Sequence, residues 1–147
     1  MSLTTKGREG QPNPPHPVLN AMLVCDMALR EEGTGKVSLI GIFENINAAS
    51  FPSVHPELSV YAKLTDADGE YVLRLELIQL EKARIIASGE TTITPSDRMG
   101  SVELNFNLRN LVFQEPGLYE FRLSANAKHV GAKTLRVVRS TPSARAK

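Results

Sequence analysis

The stretch Phe113 to Ala125, reading Phe-Gln-Glu-Pro-Gly-Leu-Tyr-Glu-Phe-Arg-Leu-Ser-Ala, constrains the fold of this chain more than any other. Pro116 presets φ for a tight turn, and Gly117 supplies a backbone conformation that residues with a Cβ avoid. After the turn the side chains alternate. Tyr119, Phe121, Leu123 and Ala125 fall on one side and Leu118, Glu120, Arg122 and Ser124 on the other, which is the period of a strand with one face buried and one mostly wet. The rest of the chain is therefore read as strands that pair with this one or pack against it.

With 147 residues the chain suits a single domain. The first strand runs from Val18 to about Asp26, and Met27 to Gly35 forms a connection, with room for one helical turn at 27–32 and with Gly33 and Gly35 marking its turn. The second strand, Lys36 to Ile46, is apolar on both faces, with Val37, Leu39 and Phe43 opposing Ile40 and Ile42, and is expected to be central or covered. Residues 47–56 contain Pro52 and Pro56 and are read as a crossover to the opposite sheet. In the third strand Leu58, Val60, Ala62 and Leu64 face inward, opposite Ser59, Tyr61, Lys63 and Thr65. Asp66 to Glu70 is read as a hairpin turn into a fourth strand with Tyr71, Leu73, Leu75 and Leu77 inward. The fifth strand spans Arg84 to Thr94, and the sixth buries Val102, Leu104, Phe106 and Leu108. The seventh follows the Pro116-Gly117 turn, and the eighth runs from Gly131 to Arg139 after a turn at 126–130. Residues 1–17 and 140–147 lack apolar periodicity and are expected to form a disordered arm and tail around a domain at 18–139.

About eight short strands with turn chemistry between them predict an all-β fold, an antiparallel sandwich, with an eight-stranded jelly roll as the rival. The order Glu115-x-Gly117-x-Tyr119-x-Phe121 resembles the tyrosine corner of immunoglobulin-like sandwiches, with Phe121 in the place of their second disulfide cysteine. An ordinary turn followed by an amphipathic strand has the same pattern. Leu23-Val-Cys-Asp26, Ser38 to Ile46, Phe51 to Pro56 and Pro116 to Phe121 together resemble a family of small uncharacterised bacterial β-sandwich proteins, a domain of unknown function, over residues 17–139. That resemblance implies a soluble bacterial immunoglobulin-like domain and carries no catalytic, cofactor or metal residues.

The residues themselves assign no catalytic, cofactor-binding or metal site. Asp66-x-Asp68-Gly69-Glu70 places carboxylates on one loop, as calcium requires, but Asp-Gly is also what a tight turn selects, and the EF-hand ligand spacing is missing. His16, His55 and His129 lie far apart in sequence, and His55 is expected to cap the crossover through a hydrogen bond. Cys25, Asp26 and His55 form a Cys-His-Asp group only if the fold brings them together. A lone cysteine builds no internal disulfide. The basic residues Lys128, Lys133, Arg136, Arg139, Arg145 and Lys147 sit in a chain of net charge +1 with no tryptophan, which argues against nucleic acid. Tyr61 is the one aromatic expected on a polar row, too little for a sugar platform. Val18 to Cys25 is broken by Asn20 and is not a signal segment, and no apolar run reaches the ~20 residues of a membrane helix, so a soluble cytoplasmic protein is expected.

The apolar double faces of the first two strands point to a non-enzymatic module that acts through protein contacts or self-association, unless the chain covers those faces itself. The alternative is a domain that binds a small ligand or metal through loops at one end of the sandwich. A hydrolase using His55 or Cys25 beside a carboxylate ranks third.

Overall fold

A computed structural model of the chain describes residues 13–141. Most of the expected arm, residues 1–12, and the tail from 142 on lie outside the described residues. The described residues form nine strands and no helix: β1 (Val18–Arg30), β2 (Val37–Ile42), β3 (Asn45–Ala48), β4 (Ser53–Thr65), β5 (Tyr71–Gln79), β6 (Arg84–Ile93), β7 (Ser101–Phe113), β8 (Gly117–Ala125) and β9 (Lys128–Arg139). They build a two-sheet sandwich. One sheet has the order β2-β1-β4-β7, the other β3-β9-β8-β5-β6. All pairings are antiparallel except that of β3 with β9.

The alternation read from the sequence fixes which side chains meet. Leu58, Val60, Ala62 and Leu64 of β4 face Tyr71, Leu73, Leu75 and Leu77 of β5 and Tyr119, Phe121 and Leu123 of β8 in one buried cluster. Val102, Leu104, Phe106 and Leu108 of β7 pack on it half-buried, because β7 is the rim of its sheet. At the turn before β8 the Tyr119 hydroxyl donates to the Glu115 carbonyl, four residues upstream, at 2.6 Å. The same ring meets Phe113, the last residue of β7, edge-on at 5.0 Å. The end of one sheet is thereby fixed to the start of the other.

Several expected boundaries move. Asp66 to Glu70 is not a hairpin: β4 and β5 lie in different sheets, and the loop arches between them through positive φ at Asp66 and Gly69. Tight-turn residues satisfy an arch as well as a hairpin, because both need left-handed backbone over a few residues. The expected connection at 27–35 is shorter, since β1 continues to Arg30. The expected second strand splits into β2 and β3, which lie at the rims of opposite sheets, so β2 is neither central nor covered. The proline-bearing crossover ends early, because β4 begins at Ser53 and includes Pro56. Its missing N–H is tolerated there, as β1 pairs with β4 only as far as Ser59 and leaves that side of Pro56 without a neighbouring strand. The turn after β8 shrinks to Asn126 and Ala127, both at positive φ, the signature of a two-residue hairpin.

Two local features close the sandwich. Where β1 approaches β9, a Cβ on Gly131 would stand 2.2 Å from a Leu19 methyl, so the leucine tip fills the space that glycine leaves open. At Asn110, held at φ 54°, the inward row of β7 switches from Phe106 and Leu108 to Leu111 and Phe113.

Candidate functional site

The β1–β2 hairpin leaves the sheet that it starts in. Glu103 lies opposite Lys63, and Lys63 opposite Ala21. Arg30 is nine residues beyond Ala21 (30 − 21), on the order of 30 Å away if β1 ran straight at about 3.3 Å per residue. Its guanidinium is instead 3.8 Å from the Glu103 carboxylate. The hairpin therefore turns back across the outer face of its own sheet. The bend coincides with the Asp26/Gly41 position, where the β1–β2 register skips a pair and Gly41 takes φ 70°. A Cβ on Gly41 would fall 2.3 Å from an Asp26 carboxylate oxygen, so glycine is required on both counts.

Folding back covers one set of residues and exposes another. Tyr61 points outward as expected, yet it is only 8% exposed and offers no surface ring. A small cavity of about 110 Å³, lined by Ala28, Arg30, Val37, Tyr61, Glu103 and Asn105, remains beneath the hairpin. The Tyr61 hydroxyl donates to Glu103. Burial, and then the bond to that carboxylate and its charge, push the phenol up to about 12, so it stays protonated at neutral pH. On the hairpin itself Met27, Leu29, Ile40 and Ile42 are each about half exposed. Met27 stands directly opposite Ile40, and Ile42 is one row along. By register Met27, Leu29 and Ile40 share one face of the hairpin, and Ile42 follows across Gly41. β2 also forms the rim of its sheet, and its residues Val-Ser-Leu-Ile-Gly-Ile carry no charge.

Beside the bend lies an open cleft of about 410 Å³, lined among others by Asp26, Gly41, Phe43, Asn45, Asn47 and His55. Two members of the expected Cys-His-Asp group, Asp26 and His55, share it. Cys25 does not. It is fully buried, its thiol donates to the Met27 carbonyl at 3.4 Å, and burial raises its pKa, so it is held as a thiol rather than a nucleophilic thiolate. His55 packs its ring on Phe43 at 5.8 Å, and among the described residues it makes no side-chain hydrogen bond, contrary to the cap expected of it. Asn45 and Asn47 escaped the sequence reading because they were assigned to a strand end and a crossover. The isolated Gly41 inside an apolar run was the one signal of a bend there.

The other candidates disperse. Asp66 is paired with Arg98 at 2.6 Å, and that guanidinium holds its carboxyl below the usual range. Asp68 uses its backbone N–H to bond the Tyr71 hydroxyl. No group of three or more metal-ligating side chains occurs among the described residues. On the basic edge, Lys133 pairs with Glu44 and Arg139 lies over the Phe51 ring at 4.9 Å, whereas Arg145 and Lys147 lie outside the described residues. His16 and His129 do meet, but through a ring nitrogen and a backbone carbonyl, 2.8 Å apart.

The profile of a family of unknown function, DUF6941, matches residues 20–138. The chain belongs to this family. No curated protein matches it. Among solved structures, this DUF6941 chain is similar to the Pseudomonas fluorescens alkylpurine DNA glycosylase AlkC bound to DNA containing an abasic site analogue. Identity is 8% and the TM-score 0.51, over 84% of this chain and 30% of that one. A β-glucosidase from Listeria innocua in complex with isofagomine follows at 12% identity and a TM-score of 0.47, over 87% of this chain and 16% of that one. The DUF6941 chain thus spans less than a third of either protein. What it shares with the glycosylase is a fold. No helix among its described residues is long and apolar enough to cross a membrane.

Proposed function

We propose that this chain is a non-enzymatic interaction module whose contact surface is the β1–β2 hairpin, and that the partner there is a second copy of itself. The observation that carries this reading is the cluster of Met27, Leu29, Ile40 and Ile42, half exposed on one hairpin beside an uncharged rim strand. Exposed rims are normally protected by charge, proline or brevity. The other three rims follow that rule: β6 carries Arg84 and Glu90, β7 carries Glu103 and Arg109, and β3 has only four residues. Two copies of β2 related by a two-fold axis would meet without like-charge repulsion. The corner bond of Tyr119 supports an immunoglobulin-like sandwich, and the lone buried cysteine supports a reducing, cytoplasmic setting.

Light scattering over a range of concentrations tests the reading. Wild type is expected to pass from monomer to dimer, and Ile40→Glu to weaken that association about tenfold or more, by placing a charge where apolar surface is buried. Val72→Glu, at a similarly exposed apolar residue of the other sheet, is expected to leave it unchanged. A wild type that stays monomeric at every concentration would overturn the proposal.

The cleft favours a second reading, as a small-ligand site. Asp26, Asn45, Asn47 and His55 converge on it beside Phe43, and a few polar groups around apolar walls are what ligand pockets present. A neutral or cationic molecule rich in hydrogen-bond donors suits the carboxylate. In a thermal-shift screen of sugars and amines, a stabilising compound is expected to lose its effect in Asp26→Asn. No shift with any compound of these classes would remove this reading.

A further inference from the structure

Residues 13–17 lie against the far end of the five-stranded sheet, and every one of them from Pro14 on has a specific seat. The Tyr71 hydroxyl accepts from the Asp68 N–H at 3.0 Å and donates to the Pro15 carbonyl at 2.6 Å. His16 donates its Nε2–H to the His129 carbonyl at 2.8 Å. The Pro14 ring packs over Gly69 so closely that a Cβ there would meet it at 3.2 Å, and Pro17 is buried. Around the segment runs a groove of about 250 Å³ whose far wall is Ala125, Asn126 and Lys128 at the β8–β9 turn.

Covalent geometry makes this segment a particular kind of ligand. In Asn13-Pro-Pro-His-Pro17 each proline fixes its own φ, and each residue before a proline is excluded from the helical region. The segment is therefore extended before it docks, and little conformational entropy is lost when it does. The segment is held through an aromatic side chain whose polar tip donates to a backbone carbonyl and through a glycine against which a proline ring packs, contacts of the kind by which proline-rich peptides are recognised.

We infer that the seat formed by Tyr71, Gly69 and the His129 carbonyl, beside this groove, is a binding site for extended proline-rich peptides, and that the chain's own residues 14–17 occupy it in cis. The tethered segment acts at an effective concentration on the order of millimolar, so it masks the site against weaker competitors. A partner carrying a Pro-Pro-x-Pro segment gains access by displacing it. This site is on the other sheet from the β1–β2 hairpin and does not depend on the self-association proposed above.

The test uses the full chain with Pro14→Gly, Pro15→Gly and His16→Ala, which removes the stiffness and the imidazole donor and leaves Tyr71 intact. The synthetic peptide Asn-Pro-Pro-His-Pro-Val is titrated and backbone amide resonances are followed. Saturable shifts centred on Gly69, Tyr71 and Asn126 are expected, with affinity at least about tenfold higher than for wild type, whose own segment competes. Asn-Ala-Ala-Ala-Ala-Val is expected to shift nothing. A folded variant that ignores the proline peptide, or binds it no better than wild type does, would overturn the inference. Should the variant fail to fold, wild type with millimolar peptide is decisive: shifts at the same residues support the site, and their absence ends it.

Discussion

Phe121→Ala is expected to destabilise the domain by about 3–5 kcal/mol, a large part of the roughly 5–15 kcal/mol that holds a domain of this kind together. Phe121 is fully buried in β8, with Leu77 of β5 on one side and Lys133 of β9 on the other. It contributes to the cluster where both sheets meet, and alanine leaves a void that interdigitated neighbours fill only in part. At about 2–4 °C per kcal/mol the melting point should fall by roughly 10 °C. Phe106→Ala on the rim strand β7 should lower stability on the order of half as much, because less of that ring leaves water on folding. Urea denaturation with an unchanged slope measures both. Equal losses at the two positions would contradict the rim placement of β7.

That contrast shows where the sequence was sufficient. Alternation named the inward rows of β4, β5 and β8 residue by residue, because in a strand the burial pattern and the chemical pattern share a period of two. The turn before β8 was legible for a related reason: Tyr119 bonds the Glu115 carbonyl within five residues of chain. What the sequence left open are relations between segments. Asp66 to Gly69 has the same local chemistry whether it returns to the same sheet or crosses to the other. The apolar double face of the second strand was visible, but its explanation was not: one stretch supplies rims to both sheets, and the Gly41 bend folds the hairpin over Tyr61. The candidate sites suffered most. The cleft gathers residues from β1, β2, β3 and β4, and the proline groove joins the start of the domain to Tyr71 and to the turn at 126–128. No spacing rule encodes either.

The face switch at Asn110 carries a second large prediction. Asn110→Gly is expected to keep stability within about 0.5 kcal/mol of wild type, since glycine adopts the left-handed region freely. Asn110→Val is expected to lower it by about 1–3 kcal/mol, because a β-branched residue is a poor occupant of φ 54°. The alternative open to the valine variant is to relax into regular strand. Alternation would then turn Leu111 and Phe113 toward water and bring Val112 inward, separating the Phe113 ring from Tyr119. Nuclear Overhauser contacts between those rings, measured beside denaturation midpoints, distinguish strain alone from a lost face switch. Similar stability in the glycine and valine variants would mean that the positive φ does not set the facing of β7. A lost switch would also reach the cleft. Leu111 lies opposite His55 in the β4–β7 ladder, so turning one row turns the other and lifts the imidazole from Phe43. Any ligand held between Asp26 and His55 would then lose one of its two ionisable contacts through a substitution that touches neither.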